Sequence, residues 1–216
     1  MKEVKSIIAG VVATGKVGDY ILYQRLGVPC IRRASTKKRS ADSYTETQRI
    51  GQSRLRYLVS LYQALQYTVV KRAWQRARKR PGQTGFNAFV SQNYAAFGKD
   101  EVIADYSRIK MSEGDLRLPL GIAVAVTGPR ELVLSWDIRK DKLLGEATDC
   151  LYVLLMDGDG SFRTVVKEET GVCRGDGRAI VALAPGEGLP EHLYCFWASA
   201  NGCRFTPSWY ARIAWQ

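Results

Sequence analysis

Residues 151–167 read LYVLLMDGDGSFRTVVK, and this stretch decides the fold of the C-terminal half. Two runs of β-forming residues, 151–156 and 162–167, flank a turn of alternating aspartate and glycine at 157–160. An Asp-Gly pair between two such runs is a strong short-range signal for a hairpin. The stretch therefore predicts two antiparallel strands joined by a tight turn.

The same pattern of short runs and turns extends over the rest of the C-terminal half. Further turn signals are Gly175-Asp176-Gly177 and Asn201-Gly202. The other β-rich runs are 121–126, 131–136, 179–183, 193–198 and 209–213. Short strands with a turn about every dozen residues predict an all-β immunoglobulin- or fibronectin-like sandwich over residues 111–216. Trp136 and Trp197 are its candidate core aromatics.

Residues 44–98 have the spacing of helices. Apolar side chains recur at threes and fours from Ile50 to Leu65, which is typical of an amphipathic helix. Either Ser43 or Thr45 is expected to cap its start. The helix is predicted to continue through Trp74 toward Arg80, and a second helix is expected at about 85–97.

The N-terminal segment is predicted to be extended. Tyr20–Arg25 and Val28–Arg33 form a hairpin candidate around Gly27, and Gly15 and Gly18 are interpreted as turn glycines. Arg25, Arg32 and Arg33 are then expected to lie near one another across the two strands. The expected architecture is therefore α+β, with two domains. A basic N-terminal β-hairpin with helices occupies residues 1–110, and the all-β sandwich occupies residues 111–216.

Charge is divided unevenly along the chain. The formal net charge is +11, but residues 1–100 hold 19 Lys and Arg against 5 Asp and Glu, and residues 101–216 hold 13 against 16. Such asymmetry indicates a polyanionic partner, because a strongly basic half repels itself unless a partner relieves the repulsion. The alternative interpretation is a solvated basic face that serves solubility only.

The basic residues concentrate in two segments. No base-reading motif accompanies them, so the expected contacts are to phosphates and independent of sequence. Trp74 is interpreted either as a stacking platform for a base or as part of the apolar face of its helix. The candidate nucleic-acid-binding residues are Arg25, Arg32, Arg33, Lys37, Lys38, Arg39, Lys71, Arg72, Trp74, Arg76, Arg78, Lys79 and Arg80.

The residues that enzymes use are scarce. His192 is the single histidine, and no nucleophile motif is present, so we expect no catalytic residue, cofactor or small-molecule substrate. Cys30, Cys150, Cys173, Cys195 and Cys203 lack metal-ligand spacing and are interpreted as reduced thiols, with a Cys195–Cys203 bridge as the alternative. No apolar run approaches the roughly 18 residues of a membrane span. We therefore expect a cytoplasmic protein with no membrane partner.

Four stretches resemble an uncharacterised family, common in gut Bacteroidota, of proteins with a domain of unknown function. They are GKVG at 15–18 followed by Tyr23 and Arg32-Arg33, TETQ at 45–48, FNAFVSQN at 86–93 and DYSRI at 105–109. The family's turn before the helix has two prolines, which Ser43 and Glu46 replace here. The resemblance implies a Gly-rich hairpin, a basic helical segment and a C-terminal fibronectin-like sandwich, and it implies no activity.

Two functional hypotheses follow. The first is a non-enzymatic accessory protein that binds nucleic acid or another polyanion. The alternative is a structural protein of phage or mobile-element type, which uses the sandwich for protein contacts or self-assembly. The first predicts that the basic side chains form one continuous exposed face. The alternative predicts that they alternate with exposed apolar residues such as Leu26 and Val70.

Overall fold

The computed structural model describes residues 14–25, 27–35, 43–77, 82–98, 103–141, 145–158, 164–167 and 170–215. Helices and antiparallel sheets both occur, which confirms the expected mixed α+β composition. The chain divides into two compact units, Met1–Arg49 and Ile50–Gln216.

The N-terminal unit contains a three-stranded antiparallel sheet, here called the N-terminal sheet. Its strands are β1 (Gly15–Val17), β2 (Tyr20–Arg25) and β3 (Val28–Arg33), in the order β1-β2-β3. The hairpin predicted around Gly27 is confirmed, with Tyr20 opposite Arg33 and Arg25 opposite Val28. Gly15 begins a strand that the sequence did not predict, whereas Gly18 does form the following turn, with φ of 56°.

Helix α1 (Glu46–Ala64) begins at a capping box. The Gln48 N–H donates to Thr45 Oγ1 (3.3 Å), and the Thr45 N–H donates to Gln48 Oε1 (3.2 Å). Each side chain thereby satisfies a backbone donor that the first helical turn leaves unpaired. Of the two predicted caps, Thr45 is the one the structure uses.

The helical region is divided more finely than the sequence predicts. Helix α1 ends at Ala64 and α2 (Val69–Arg76) follows. The continuous helix was a wrong prediction, because Thr68 restarts the helix: its hydroxyl donates to the Leu65 carbonyl (2.8 Å) and accepts from the Val70 N–H (3.2 Å). Helix α3 (Gly85–Asn93) is capped by Thr84, whose hydroxyl accepts from the Asn87 N–H at 3.1 Å.

Each of the seven runs that were predicted as strands of the C-terminal half contains a strand, and residues 162 and 163 of the fourth run lie outside the described residues. Sheet I has the order β4-β5-β8 and sheet II the order β10-β9-β6-β7, with antiparallel neighbours throughout. A one-turn helix, α4 (Ile138–Asp141), follows β5. The strands are β4 (Leu120–Gly128), β5 (Glu131–Asp137), β6 (Cys150–Met156), β7 (Thr164–Lys167), β8 (Arg178–Ala182), β9 (His192–Ala198) and β10 (Trp209–Arg212).

Sheets I and II face each other across one hydrophobic cluster. Leu132 and Leu134 from sheet I pack in the same cluster as Leu155 and Leu193 from sheet II. The predicted core aromatics, Trp136 and Trp197, lie in this cluster, with their rings 5.3 Å apart and at 77°.

The helices cover the other face of sheet II. Leu61 and Trp74 share a second hydrophobic cluster with Leu154, Tyr194 and Phe196 of sheet II. All seven residues of β9 are consequently buried, with alternate side chains directed to the helices and to sheet I.

The larger unit therefore begins at Ile50, not at the boundary predicted at 110/111. Helices α2 and α3 belong with the sheets because their apolar faces have sheet II as a partner.

Candidate nucleic-acid interface

The strand register divides the N-terminal sheet into two faces. Successive residues of a strand point to opposite sides, and residues paired across strands point to the same side. Lys16 and Arg32 both pair with Ile21, and Tyr23 and Arg25 follow Ile21 at intervals of two. We call the side that carries Lys16, Tyr23, Arg25 and Arg32 the basic face.

The opposite side of the N-terminal sheet is mainly apolar. Tyr20 pairs with Val17 and Arg33, and Leu22 pairs with Ile31. The side chains of Val17, Tyr20 and Ile31 are 45%, 52% and 62% exposed. This side is called the apolar face, and Arg33 is the charged residue on it.

Arg33 is thus separated from the other two arginines of the hairpin. The sequence predicted that Arg25, Arg32 and Arg33 lie close together, but Arg32 and Arg33 are adjacent on β3 and point to opposite sides of the sheet. The charge on the basic face comes instead from Arg25, Arg32 and Lys16, and Lys16 was not among the predicted binding residues. Alternation along the predicted hairpin was the signal that could have excluded Arg33, whereas the place of Lys16 depends on the pairing of β1 with β2.

The cations of the basic face are exposed to solvent. Lys16, Arg25 and Arg32 are each exposed, and none of them forms an ion pair or side-chain hydrogen bond with another described residue. Lys16 and Arg32 lie two strand spacings apart, or about 10 Å, and Arg25 lies about 13 Å along β2 from Ile21. Tyr23 lies between these cations and is 37% exposed.

Helix α2 carries a second group of cations. Arg72 and Arg76 are one turn apart and both exposed, and Lys71 beside them is half-buried. Residues four apart on a helix lie on one face with Cβ atoms about 6 Å apart. Arg72 and Arg76 therefore lie on a common face in the described part of the helix.

Trp74 was considered as a base-stacking residue, and its burial contradicts that role. Its side chain is 1% exposed, its ring packs edge-on against Phe89 at 5.5 Å, and its indole N–H donates to the Met111 carbonyl at 3.0 Å. A ring with no accessible face cannot stack on a base. Val70, named as a possible exposed apolar residue, is fully buried as well.

Six of the candidate cations lie outside the described residues. Lys37, Lys38 and Arg39 follow β3, and Arg78, Lys79 and Arg80 follow α2. Leu26, at the tip of the hairpin, is also outside the described part of the chain.

Several other arginines have partners within the larger unit. Arg54 donates from Nε to the Gly98 carbonyl (3.0 Å), and its guanidinium carbon lies 5.4 Å from the centre of the Tyr94 ring. Arg204 pairs with Asp115 at 2.9 Å, and this contact holds the pKa of the Asp115 carboxyl below its ordinary value. Arg54 and Arg204 thus have partners within the larger unit, whereas Arg72 and Arg76 form no ion pair with another described residue.

The single histidine lies in a buried aromatic group. The His192 ring stacks on Tyr106 with centroids 3.6 Å apart, and its Nδ1 lies 2.9 Å from the Tyr210 hydroxyl oxygen. The Tyr194 hydroxyl donates to the Tyr106 carbonyl at 2.8 Å. Burial lowers the pKa of His192 and raises that of Tyr194, because a charged ring would lose its hydration there.

The described ranges contain neither a metal cluster nor a helix that could span a membrane. Those residues include no group of three or more His, Cys, Asp or Glu side chains that could hold a metal ion. None of the helices that the structure describes is both long enough and apolar enough to span a bilayer.

Comparison with known proteins identifies no family for this chain. No protein-family model matches the sequence, and no curated protein matches it. Among solved structures, the chain is similar to the fn3 domain of human contactin 1, with a TM-score of 0.27 and 11% sequence identity. That match covers 48% of this chain and 83% of the other. A likeness at this score supports no conclusion about fold or function.

Proposed function

We propose that this chain is a non-enzymatic accessory protein that binds nucleic acid or a similar polyanion, mainly through phosphates and without reading sequence. The observation that supports the proposal is the segregation of charge on the N-terminal sheet. Lys16, Arg25 and Arg32 share one solvent-exposed face with Tyr23, whereas Arg33 is the charged residue of the other face. The basic face also carries the apolar side chains of Ile21 and Val28. Cations beside an accessible ring are the combination with which proteins bind single strands.

Helix α2 is proposed as a separate phosphate-contacting surface. Arg72 and Arg76 project to solvent from the same side of the helix, with Lys71 beside them. Helix α2 contains no acidic residue that would neutralise them. Phosphate contacts made by Lys37, Lys38, Arg39, Arg78, Lys79 and Arg80 stay predictions from the sequence.

The C-terminal half is proposed to be an immunoglobulin- or fibronectin-like sandwich that serves as a stabilising or docking module. Numbered within the half, its strands form one sheet of the first, second and fifth and another of the seventh, sixth, third and fourth. This order corresponds to strands A-B-E and G-F-C-C′ of immunoglobulin-type domains. Membership of the Bacteroidota family and a cytoplasmic location stay proposals. The latter is supported by five cysteines that are all unbridged.

The test is binding of the full chain to labelled duplex DNA and to single-stranded RNA over a series of salt concentrations. Affinity should fall steeply with salt, because each neutralised phosphate releases counterions. The double variant Arg25→Ala, Arg32→Ala should reduce the slope of log K against log salt by roughly 1.8, because each of the two phosphates accounts for about 0.9. Replacement of Arg72 and Arg76 together should have a comparable effect.

The matched control for the sheet is Arg33→Ala. It removes an arginine from the neighbouring position on the opposite face, so its slope should equal that of the unmodified protein. Absence of binding at low salt would contradict the proposal. If Arg33→Ala and Arg32→Ala reduced the affinity for nucleic acid equally, total charge and not the basic face would determine binding.

A second candidate function is assembly through the sandwich, as in structural proteins of phage or mobile elements. The observation in its favour is an apolar row across the outer face of sheet I, where Ala125, Val133 and Ile180 pair side by side. Ile180 is 56% exposed. If this row mediates self-association, Ile180→Arg should convert oligomers to monomers in light scattering after size exclusion, whereas a monomeric unmodified protein would exclude self-assembly by this row.

A further inference from the structure

Two cysteines face each other at the edge of sheet II. Cys150 is the first residue of β6, and it forms an isolated antiparallel bridge with Cys173. Neither cysteine takes part in a disulfide bond, and both are partly accessible to solvent. Together they line an open cleft of about 190 Å³ with Leu151, Tyr152, Gly171 and Val172.

The backbone hydrogen bonds define the kind of pairing between them. The Leu151 N–H donates to the Val172 carbonyl (3.0 Å), and the Arg174 N–H donates to the Asp149 carbonyl (2.8 Å). These bonds lie on either side of the two cysteines, so Cys150 and Cys173 form a non-hydrogen-bonded pair. In such pairs the Cα atoms lie about 4.5 Å apart and the side chains are on the same face.

This geometry lies within the range of a disulfide. Bridged cysteines have Cα atoms about 4.4–6.8 Å apart, so the strands need no large movement before the sulfur atoms can bond. We propose that Cys150 and Cys173 are a modification site: a thiol pair that low-molecular-weight disulfides of the glutathione type oxidise to an intramolecular disulfide. The inference is independent of polyanion binding.

The reaction balances as two thiol–disulfide exchanges. The thiolate of one cysteine attacks the small disulfide, forms a mixed disulfide and releases one small thiol. The thiolate of the facing cysteine attacks the protein sulfur of that mixed disulfide and releases the second small thiol. The protein loses two electrons and two protons, and the small disulfide gains them as two thiols.

The surroundings give the bridge a structural consequence. Asp149 and Arg174 are the neighbours of the two cysteines; both are about 2% exposed, and they form an ion pair of 3.6 Å. The Arg174 guanidinium also donates to the Arg117 carbonyl at 2.8 Å. A disulfide between residues 150 and 173 would therefore hold together the two segments that bury this ion pair.

The other cysteines provide contrasting controls within the same chain. Cys195 is fully buried between the sheets, and burial raises the pKa of its thiol, which disfavours the reactive thiolate. Cys203 is exposed, so the Cys195–Cys203 bridge considered from the sequence would join a core residue to a surface residue. Cys203 should take up a single glutathione without forming a bridge.

The experiment treats the folded full chain with oxidised glutathione, blocks the remaining thiols and digests the protein with trypsin without reduction. Peptide 143–163, which contains Cys150, should be recovered linked to peptide 168–174, which contains Cys173. Cys203→Ser should retain this linkage. Cys150→Ser and Cys173→Ser should each lose it and leave the remaining cysteine as a glutathione mixed disulfide.

Thermal unfolding gives an independent measurement. A disulfide that closes a loop of this length should raise the melting temperature by roughly 5–10 °C, reversibly with dithiothreitol, and Cys150→Ser should show no such rise. The inference is overturned if the linked peptides form only in denaturant, or if Cys150 and Cys173 stay reduced or singly modified while Cys203 reacts. A lower melting temperature of the bridged protein would equally contradict it.

Discussion

The N-terminal sheet and strand β9 are opposite extremes of side-chain burial within one chain. No described residue between 14 and 35 is buried, whereas every residue of β9 is buried. The N-terminal sheet consists of local antiparallel pairings, and β9 has a hydrophobic cluster on each side. Both segments are antiparallel and rich in β-forming residues, so propensity is not what distinguishes them.

The difference shows where the free energy of folding comes from. Burial of apolar area stabilises β9 from two sides, at roughly 25 cal/mol per Å² of surface removed from water. The N-terminal sheet has little such burial among its described residues, and its side chains remain available for contacts with other molecules. Substitutions in β9 should therefore affect stability, and substitutions on the N-terminal sheet should affect binding.

The largest effect is expected from Trp197→Ala. The Trp197 ring is fully buried and packs edge-on against Trp136, so its removal should lower the free energy of unfolding by about 3–5 kcal/mol. Tyr20→Ala, on the apolar face of the N-terminal sheet, should change it by about 0.5 kcal/mol or less. Denaturant unfolding followed by circular dichroism measures both variants. Equal losses of unfolding free energy would refute the contrast between β9 and the N-terminal sheet.

An intermediate effect is expected from Arg174→Met. It leaves the Asp149 carboxylate buried without its cation, which should cost about 3 kcal/mol of unfolding free energy. The matched control is Arg204→Met, which breaks the solvent-exposed pair with Asp115 and should change stability little. Urea unfolding midpoints compare the two variants, and a larger loss in the control would contradict the assignment of Arg174 to the core.

The smallest effect concerns pH and the histidine at the start of β9. Burial lowers the pKa of His192, Glu191 opposes the shift and Arg212 adds to it. The neutral ring's contribution to stability is therefore present above the ordinary pKa of about 6.5 and is lost as pH falls below it.

His192→Gln isolates this contribution because the chain has one histidine. When the pH falls from about 7.5 to about 5.5, the melting temperature should decrease more for the unmodified protein than for the variant. Identical losses would mean that other groups account for the whole pH dependence.

Local signals in the sequence were sufficient to locate most elements. β-rich runs between turn residues located the seven C-terminal strands and the N-terminal hairpin, because such signals act between near neighbours in the chain. Asp-Gly and Asn-Gly pairs marked turns of the C-terminal half, and Gly27 marked the turn of the hairpin. The Thr45 cap was found for the same reason. The end of α1 at Ala64 was missed, because the apolar spacing runs through the break and Thr68 resembles an ordinary helical residue.

The candidate interface was predicted only in part. Composition identified the basic segments, and Arg25, Arg32, Arg72 and Arg76 are exposed as expected. Charge alone did not distinguish Arg32 from Arg33, whose side chains leave the same strand in opposite directions. It did not find Lys16 either, whose place on the basic face depends on the pairing of β1 with β2.

The sequence by itself determined where most of the strands and helices form, where the C-terminal half and the hairpin turn, and that the first half is strongly basic. Only the tertiary structure decided that the helices share a core with sheet II, that Trp74 is buried, and that Cys150 faces Cys173. Local patterns record the conformation of neighbouring residues. Burial and the pairing of distant residues depend on which surfaces meet, and that is settled when the chain excludes water from its largest apolar faces.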